Sequence, residues 1–247
     1  MRHLRLTLGL VASVGAFALA ASPALASEFF ASKEGKTNGS SETVQAFKFG
    51  AFKIKCAKVS TTGAVNAGSE TTYATKIKYA KCLTEARIGT KPIFLASHFV
   101  TPLAIEYHAN GFVETGSETT EVEGEAVVTG GSAEIKVNTG KTAEFANSEC
   151  HLRWPAQTIP LKAEKHPEEP YSSATYANAT RPHAVSKTFP EGLQHYIVIS
   201  NEFKGIKYEL EGEPCETWGK EEGPEGGGGT YTGSFPQYLS GGNLEFH

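Results

Sequence analysis

Aspartate is absent from this 247-residue chain, so all 27 acidic residues are glutamate. That excludes Asp-rich calcium loops of the EF-hand type, paired-Asp proteases and Ser-His-Asp triads. Chemistry that needs only glutamate stays open, including glycoside hydrolysis by two Glu. The nucleophile-elbow pattern is missing too, because Gly68-Ser69, Gly116-Ser117 and Gly131-Ser132 lack the G-x-S-x-G spacing. Gly226 to Gly229 is not followed by Lys and Ser/Thr, which rules out a phosphate loop and leaves these glycines as sources of turn freedom. No two cysteines form a C-x-x-C pair, and nowhere do apolar residues recur at helical spacing over more than two turns. No cofactor or metal is therefore expected.

The amino end has three zones. Arg2 and Arg5 are followed by an apolar stretch from Leu6 to Ala20, and Pro23 then precedes Ala24-Leu25-Ala26. This pattern predicts a cleavable secretory signal over residues 1–26. The apolar run is about 15 residues, short for a helix that must cross roughly 30 Å of hydrocarbon. No cysteine follows the cleavage site to carry a lipid, and the carboxyl end shows no hydrophobic tail or sorting motif. A soluble, secreted or cell-surface chain beginning at Ser27 is expected, with no integral membrane segment after processing.

Removal of residues 1–26 leaves 221, enough for one large β domain or two small ones. It also leaves 21 basic against 27 acidic residues, a balance that argues against nucleic acid as a partner. Cys56, Cys82, Cys150 and Cys215 survive processing, and an even count in an exported chain predicts two disulfides. Of three connectivities, Cys56–Cys82 with Cys150–Cys215 is favoured by an echo in the chain: Ile77-Lys78-Tyr79 leads to Cys82 as Ile206-Lys207-Tyr208 leads to Cys215.

Strand periodicity dominates the remainder. Residues 27–43 are polar and read as a loose amino arm, and residues 44–247 as the β-rich domain. Phe47 and Phe49 alternate with lysine, then Phe52, Ile54 and Cys56 do so in shifted phase, a slip expected from a β-bulge at Gly50. Tyr73, Thr75, Ile77 and Tyr79 alternate with Lys76 and Lys78. Ile93 to Val100 is a denser apolar run with His98 of buried type. Asn110-Gly111 is the strongest hairpin signal, with Phe112 to Thr115 returning, and Gly130-Gly131 is another between Glu121–Thr129 and Ala133–Val137. Residues 164–192 carry Pro167, Pro170, Pro182 and Pro190 with little apolar period, and read as a surface excursion spanned by a Cys150–Cys215 bridge. The expected class is all-β, an antiparallel sandwich-like domain stapled by two disulfides.

Tyr107-His108-Ala109-Asn110-Gly111-Phe112, Trp154-Pro155-Ala156-Gln157 and Gly229-Thr230-Tyr231-Thr232-Gly233 resemble segments of uncharacterised exported β-rich proteins of soil actinobacteria. The resemblance covers most of the mature chain. It implies export and supplies no activity or site residue.

Three groups of residues invite a functional reading, each beside a plain one. Glu106 and His108 share a strand face and could ligate a metal if His98 or His151 arrived as a third ligand; otherwise they are a solvated exterior. Trp154 and Trp218 follow Cys150 and Cys215 closely, and serve either core packing or a platform for a sugar ring. Charge is the most informative pattern. Residues 44–91 hold nine Lys plus Arg against two Glu, and residues 92–247 hold ten against 22. Lys53, Lys55, Lys76 and Lys78 point outward on two strands that a Cys56–Cys82 bridge would hold together. Such lysines discourage edge aggregation, or form a basic face for an anionic cell-wall polymer, a polysaccharide or an acidic protein surface. The leading expectation is a non-enzymatic exported binding domain. The alternatives are a Glu-dependent glycoside hydrolase or carbohydrate-binding module on a β-sandwich, and a secreted inhibitor that offers the Pro-rich segment. Oligomeric state stays open.

Overall fold

A computed structural model describes residues 28–88, 91–114, 119–137, 148–162, 171–182, 193–212, 215 and 228–247. Among these residues the chain is almost entirely antiparallel β-sheet, as the periodicity predicts.

The framework is a ring of eight strands: β2 (Gly35–Ser41), β4 (Phe52–Val65), β6 (Thr72–Ile88), β8 (Leu103–Glu114), β9 (Thr119–Val128), β13 (Ser173–Pro182), β14 (Leu193–Ile206) and β16 (Gly229–Leu239). Each pairs antiparallel with its neighbours in the order β2-β4-β6-β8-β9-β13-β14-β16, and β16 returns to β2. The two sides of the sandwich-like body are thus joined at both margins. Closure satisfies the backbone donors and acceptors that a free edge would expose.

One end of the ring is capped by a small sheet of β1 (Phe29–Ala31), β5 (Gly68–Glu70) and β17 (Leu244–Phe246). Phe29 enters the ring, its centroid 5.3 Å from Tyr73 and 5.1 Å from Tyr176. Asn178 ties the cap down: its side chain donates to the Phe246 carbonyl at 2.7 Å and accepts from the Phe246 N–H at 2.9 Å. The segment expected as a loose arm therefore carries β1 and β2. Its polar composition hides inward-facing Phe29, Ala31 and Thr37, which are buried.

At the other end β3 (Gln45–Phe49) pairs with both β4 and β16. A sheet of β7 (Lys91–Phe99), β10 (Gly131–Val137), β11 (Ser148–Trp154) and β15 (Glu209–Glu211) extends from β6, while β12 (Gln157–Leu161) lies on β9. The phase slip at Gly50 is a hairpin, since Phe49 pairs with Phe52 across Gly50-Ala51. Gly50 has φ +57°, the left-handed value that two-residue hairpins of type II′ demand of their first central residue.

Three further expectations are corrected. β8 runs straight through Asn110-Gly111, where Asn110 is the extra residue of a bulge opposite Gly124. Gly124 (φ +155°) is needed there because a Cβ would collide with the His108 carbonyl. Gly130-Gly131 makes no hairpin: the chain crosses from β9 to β10, whose partners are β7 and β11. Trp154 fills the space that a Cβ on Gly131 would need. Finally, residues 173–182 of the Pro-rich excursion are ring strand β13. Pro167, Pro170 and Pro190 lie outside the described residues.

Both expected disulfides are present, Cys56–Cys82 and Cys150–Cys215, with Cα separations of 3.9 and 5.4 Å. Cys56 and Cys82 are partners in the β4–β6 ladder. On the loop-entropy model, separations of 26 and 65 residues correspond to about 3.5 and 4.3 kcal/mol of constraint on the unfolded chain.

The interior is apolar with a polar layer through it. Tyr107 donates to Asn201 at 3.1 Å, Tyr231 to Gln45 at 2.9 Å and Gln237 to Thr75 at 3.1 Å, while the Thr37 and Tyr73 hydroxyls share a bond of 2.8 Å. Burial pushes the phenols of Tyr73, Tyr79, Tyr107, Tyr176 and Tyr231 well above their ordinary range. No charged side chain is buried among the described residues.

Candidate binding face on the outer wall

Because alternate residues of a half-buried strand face outward, the charge of this protein collects on the wall. Lys53, Lys55, Lys76 and Lys78 are all exposed, and the β4–β6 ladder brings them onto one two-stranded ribbon. They do not form a single tight cluster. Lys53 and Lys55 pair with Glu85 and Leu83, whereas Lys76 and Lys78 pair with Thr62 and Ser60. From Lys53 to the Thr62–Lys76 pair is nine residues of β4, roughly 30 Å of strand.

Four lysines missed in the sequence fill the gaps. Lys58 and Lys81 are exposed at the centre of the ribbon, Lys48 stands opposite Lys53, and Lys36 on β2 stands opposite Ala64. Only the register shows that these belong together. Among the described residues, ion pairs join Arg153 to Glu211, Lys204 to Glu202, and histidines to glutamates; none involves the eight ribbon lysines. Among the described residues, half-buried Glu85 stands opposite Lys53, Glu106 lies near the far end of the ribbon, and exposed Glu42 follows Ser41, the partner of Val59. There the wall dips into a trough of about 600 Å³ lined by Lys36, Lys76, Glu106 and the small residues Ala64, Ala74 and Ala104.

The centre of the ribbon has an unusual backbone. Inward residues are Ile54, Cys56, Val59 and Thr61 on β4, and Ile77, Tyr79, Cys82 and Thr84 on β6. Two consecutive residues, Ala57-Lys58 and Ala80-Lys81, are exposed on each strand at matching positions. A one-residue slip flips every later side chain to the other face. Here both strands slip together, so both halves keep their apolar residues inside. Lys81 (φ +54°) absorbs the change and, among the described residues, is the non-glycine with a left-handed backbone.

The other candidates resolve differently. Glu106 and His108 do meet, with 3.0 Å from Oε1 to Nε2, but the next group is Glu125 at 3.9 Å, and neither His98 nor His151 joins them. His98 is itself 52% exposed and paired with Glu134 at 3.1 Å, correcting its reading as a buried histidine. No group of three ligating side chains suited to a metal ion occurs among the described residues. Trp154 is core: 5% exposed, with its indole N–H donating to the Thr129 carbonyl at 3.2 Å and its ring parallel to Phe49. Trp218 lies outside the described residues. The aromatic interior around Phe47, Phe49, Trp154, Phe203 and Tyr231 encloses a cavity of about 20 Å³, room for one water and far too small for a sugar.

Comparison with protein-family models, curated proteins and solved structures finds no match. No helix among the described residues is long and apolar enough to cross a membrane.

Proposed function

We propose that this is an exported, non-catalytic binding domain that attaches to a polyanionic component of the cell envelope along the lysine ribbon of β2, β3, β4 and β6. The observation that carries the reading is the set of eight exposed lysines without ion-pair partners among the described residues, on a chain whose net charge is −4. Overall charge opposes a polyanion, so attraction has to be local. Unpaired surface lysines raise the local concentration of anions, and salt weakens the effect as the Debye length shrinks from about 30 Å at 0.01 M to about 3 Å at 1 M. The signal-like amino end, the two disulfides and the resemblance to exported proteins support an extracytoplasmic location. A glycoside hydrolase draws less support from the described residues: none of their carboxylates is buried, and the pocket of about 420 Å³ beside Trp154 holds one carboxylate, Glu209, where a facing pair is needed.

The test is binding of labelled inorganic polyphosphate to the mature protein, followed by fluorescence anisotropy across a salt series. Binding at low salt that weakens by about tenfold or more towards 0.3 M supports the reading. Absence of binding at low salt, or binding indifferent to salt, contradicts it.

A further inference from the structure

The large apolar side chains exposed among the described residues are Val44 (58%), Leu83 (54%), Phe94 (68%) and Val100 (50%). All belong to one outer face, that of the β3-β4-β6-β7 sheet. Leu83 lies between Lys55 on β4 and Ala96 on β7. Phe94 pairs with Glu85, whose other neighbour is Lys53, itself opposite Lys48. Val44 directly precedes β3 on the side of exposed Lys48, and Val100 directly follows β7 on the side of exposed Phe94, Ala96 and His98. The face therefore mixes apolar side chains with lysines that have no ion-pair partner among the described residues, across four strands and a breadth of about 15 Å at the usual strand spacing.

We infer that this face docks on an anionic lipid bilayer. The inference rests on the reading that the ribbon meets a polyanion, and it identifies the carrier of negative charge as lipid headgroups. Lysine alone suits a hydrated polymer, but such a polymer offers no apolar phase for Phe94 and Leu83. A bilayer offers both, headgroup charge for the lysines and an acyl boundary for the apolar side chains between them. A second copy is the poorer occupant, because a two-fold contact through this face brings the lysine-rich surface of one copy against the same lysine-rich surface of the other. Leu83, Ala96 and Phe94 are neighbours on this face, and exposed apolar side chains grouped in this way mark docking sites.

The experiment uses the mature protein with vesicles of phosphatidylcholine alone or mixed with phosphatidylglycerol, read by cosedimentation, beside the polyphosphate assay. The parent should sediment with the anionic vesicles and not with the neutral ones. Leu83→Ser with Phe94→Ser should lower vesicle affinity by about tenfold or more, since apolar insertion is removed, and leave polyphosphate binding unchanged. In a Phe94→Trp variant, indole emission should shift to the blue on anionic vesicles only. Polyphosphate binding without vesicle binding, or a double-serine variant that holds vesicles as the parent does, overturns the bilayer inference and leaves the polyanion reading standing. A protein that binds neither probe at low salt overturns both.

Discussion

Cys56 on β4 and Cys82 on β6 are direct partners in the ladder, and the next inward pair, Val59 and Tyr79, comes three residues later instead of two. The disulfide thus pins the two strands beside the point where both change phase. Covalent register matters most there, since a slip by one residue would turn the lysines inward and Ile54, Ile77 and Tyr79 out to water.

The protein should contain no free thiol under denaturing conditions, and peptide mapping should recover Cys56 with Cys82 and Cys150 with Cys215. Replacing Cys150 and Cys215 by Ala should cost about 4 kcal/mol in urea unfolding on the loop-entropy model. Detection of two or more reactive thiols per chain would contradict the framework.

Lys81 adopts a left-handed backbone at a site where its side chain is exposed. Lys81→Gly should leave stability unchanged or raise it by about 1 kcal/mol, because an L residue there carries strain that glycine does not. Lys81→Val should destabilise. Equal unfolding midpoints for the two variants would show that the conformation is unstrained.

Buried tyrosines should respond unequally to loss of the hydroxyl. Tyr107→Phe and Tyr231→Phe each strip a donor from a buried amide oxygen, of Asn201 and Gln45, and should cost about 1–3 kcal/mol. The Tyr176 hydroxyl has no partner among the described residues, so Tyr176→Phe should be neutral or stabilising. Chemical denaturation of the three variants decides it, and a larger loss for Tyr176→Phe than for the others would refute the assignment.

High pH should unfold the protein through the same residues. Burial raises these phenols above the ordinary value of about 10 that they regain on unfolding. Their neutral form is favoured in the fold, so their contribution is complete below about pH 10 and is lost as pH rises towards the folded values. Absorbance at 295 nm should show part of the phenolate signal appearing only with the loss of β-sheet ellipticity. Full ionisation while the sheet persists would contradict the buried layer.

Strand identity is legible wherever an apolar period of two survives, as in Tyr73 to Tyr79 or Phe52 to Cys56. Pairing is less legible because it is set by distant residues. Asn110-Gly111 has the composition of a turn, yet Gly124 across the ladder makes it a bulge. β13 escapes notice because its inward positions include Ala174 and Asn178, and Asn178 is held by the backbone of Phe246 from the far end of the chain. The same limit applies to the wall. Lys53, Lys55, Lys76 and Lys78 stand out by local alternation, while Lys36, Lys48, Lys58 and Lys81 join them only through register.

The central claim is that the ribbon binds a polyanion, and its most direct test is a variant carrying Lys53→Gln, Lys55→Gln, Lys76→Gln and Lys78→Gln. Exposed strand positions shift stability by about 0.5 kcal/mol or less each, so the variant should fold with parental ellipticity and unfolding midpoint within that margin. Its affinity for polyphosphate at low salt should fall by about tenfold or more, with a flatter dependence on salt as fewer charges take part. A folded variant that binds polyphosphate with the parent's affinity and salt dependence would show that the ribbon lysines are solvated exterior and that the binding reading is wrong.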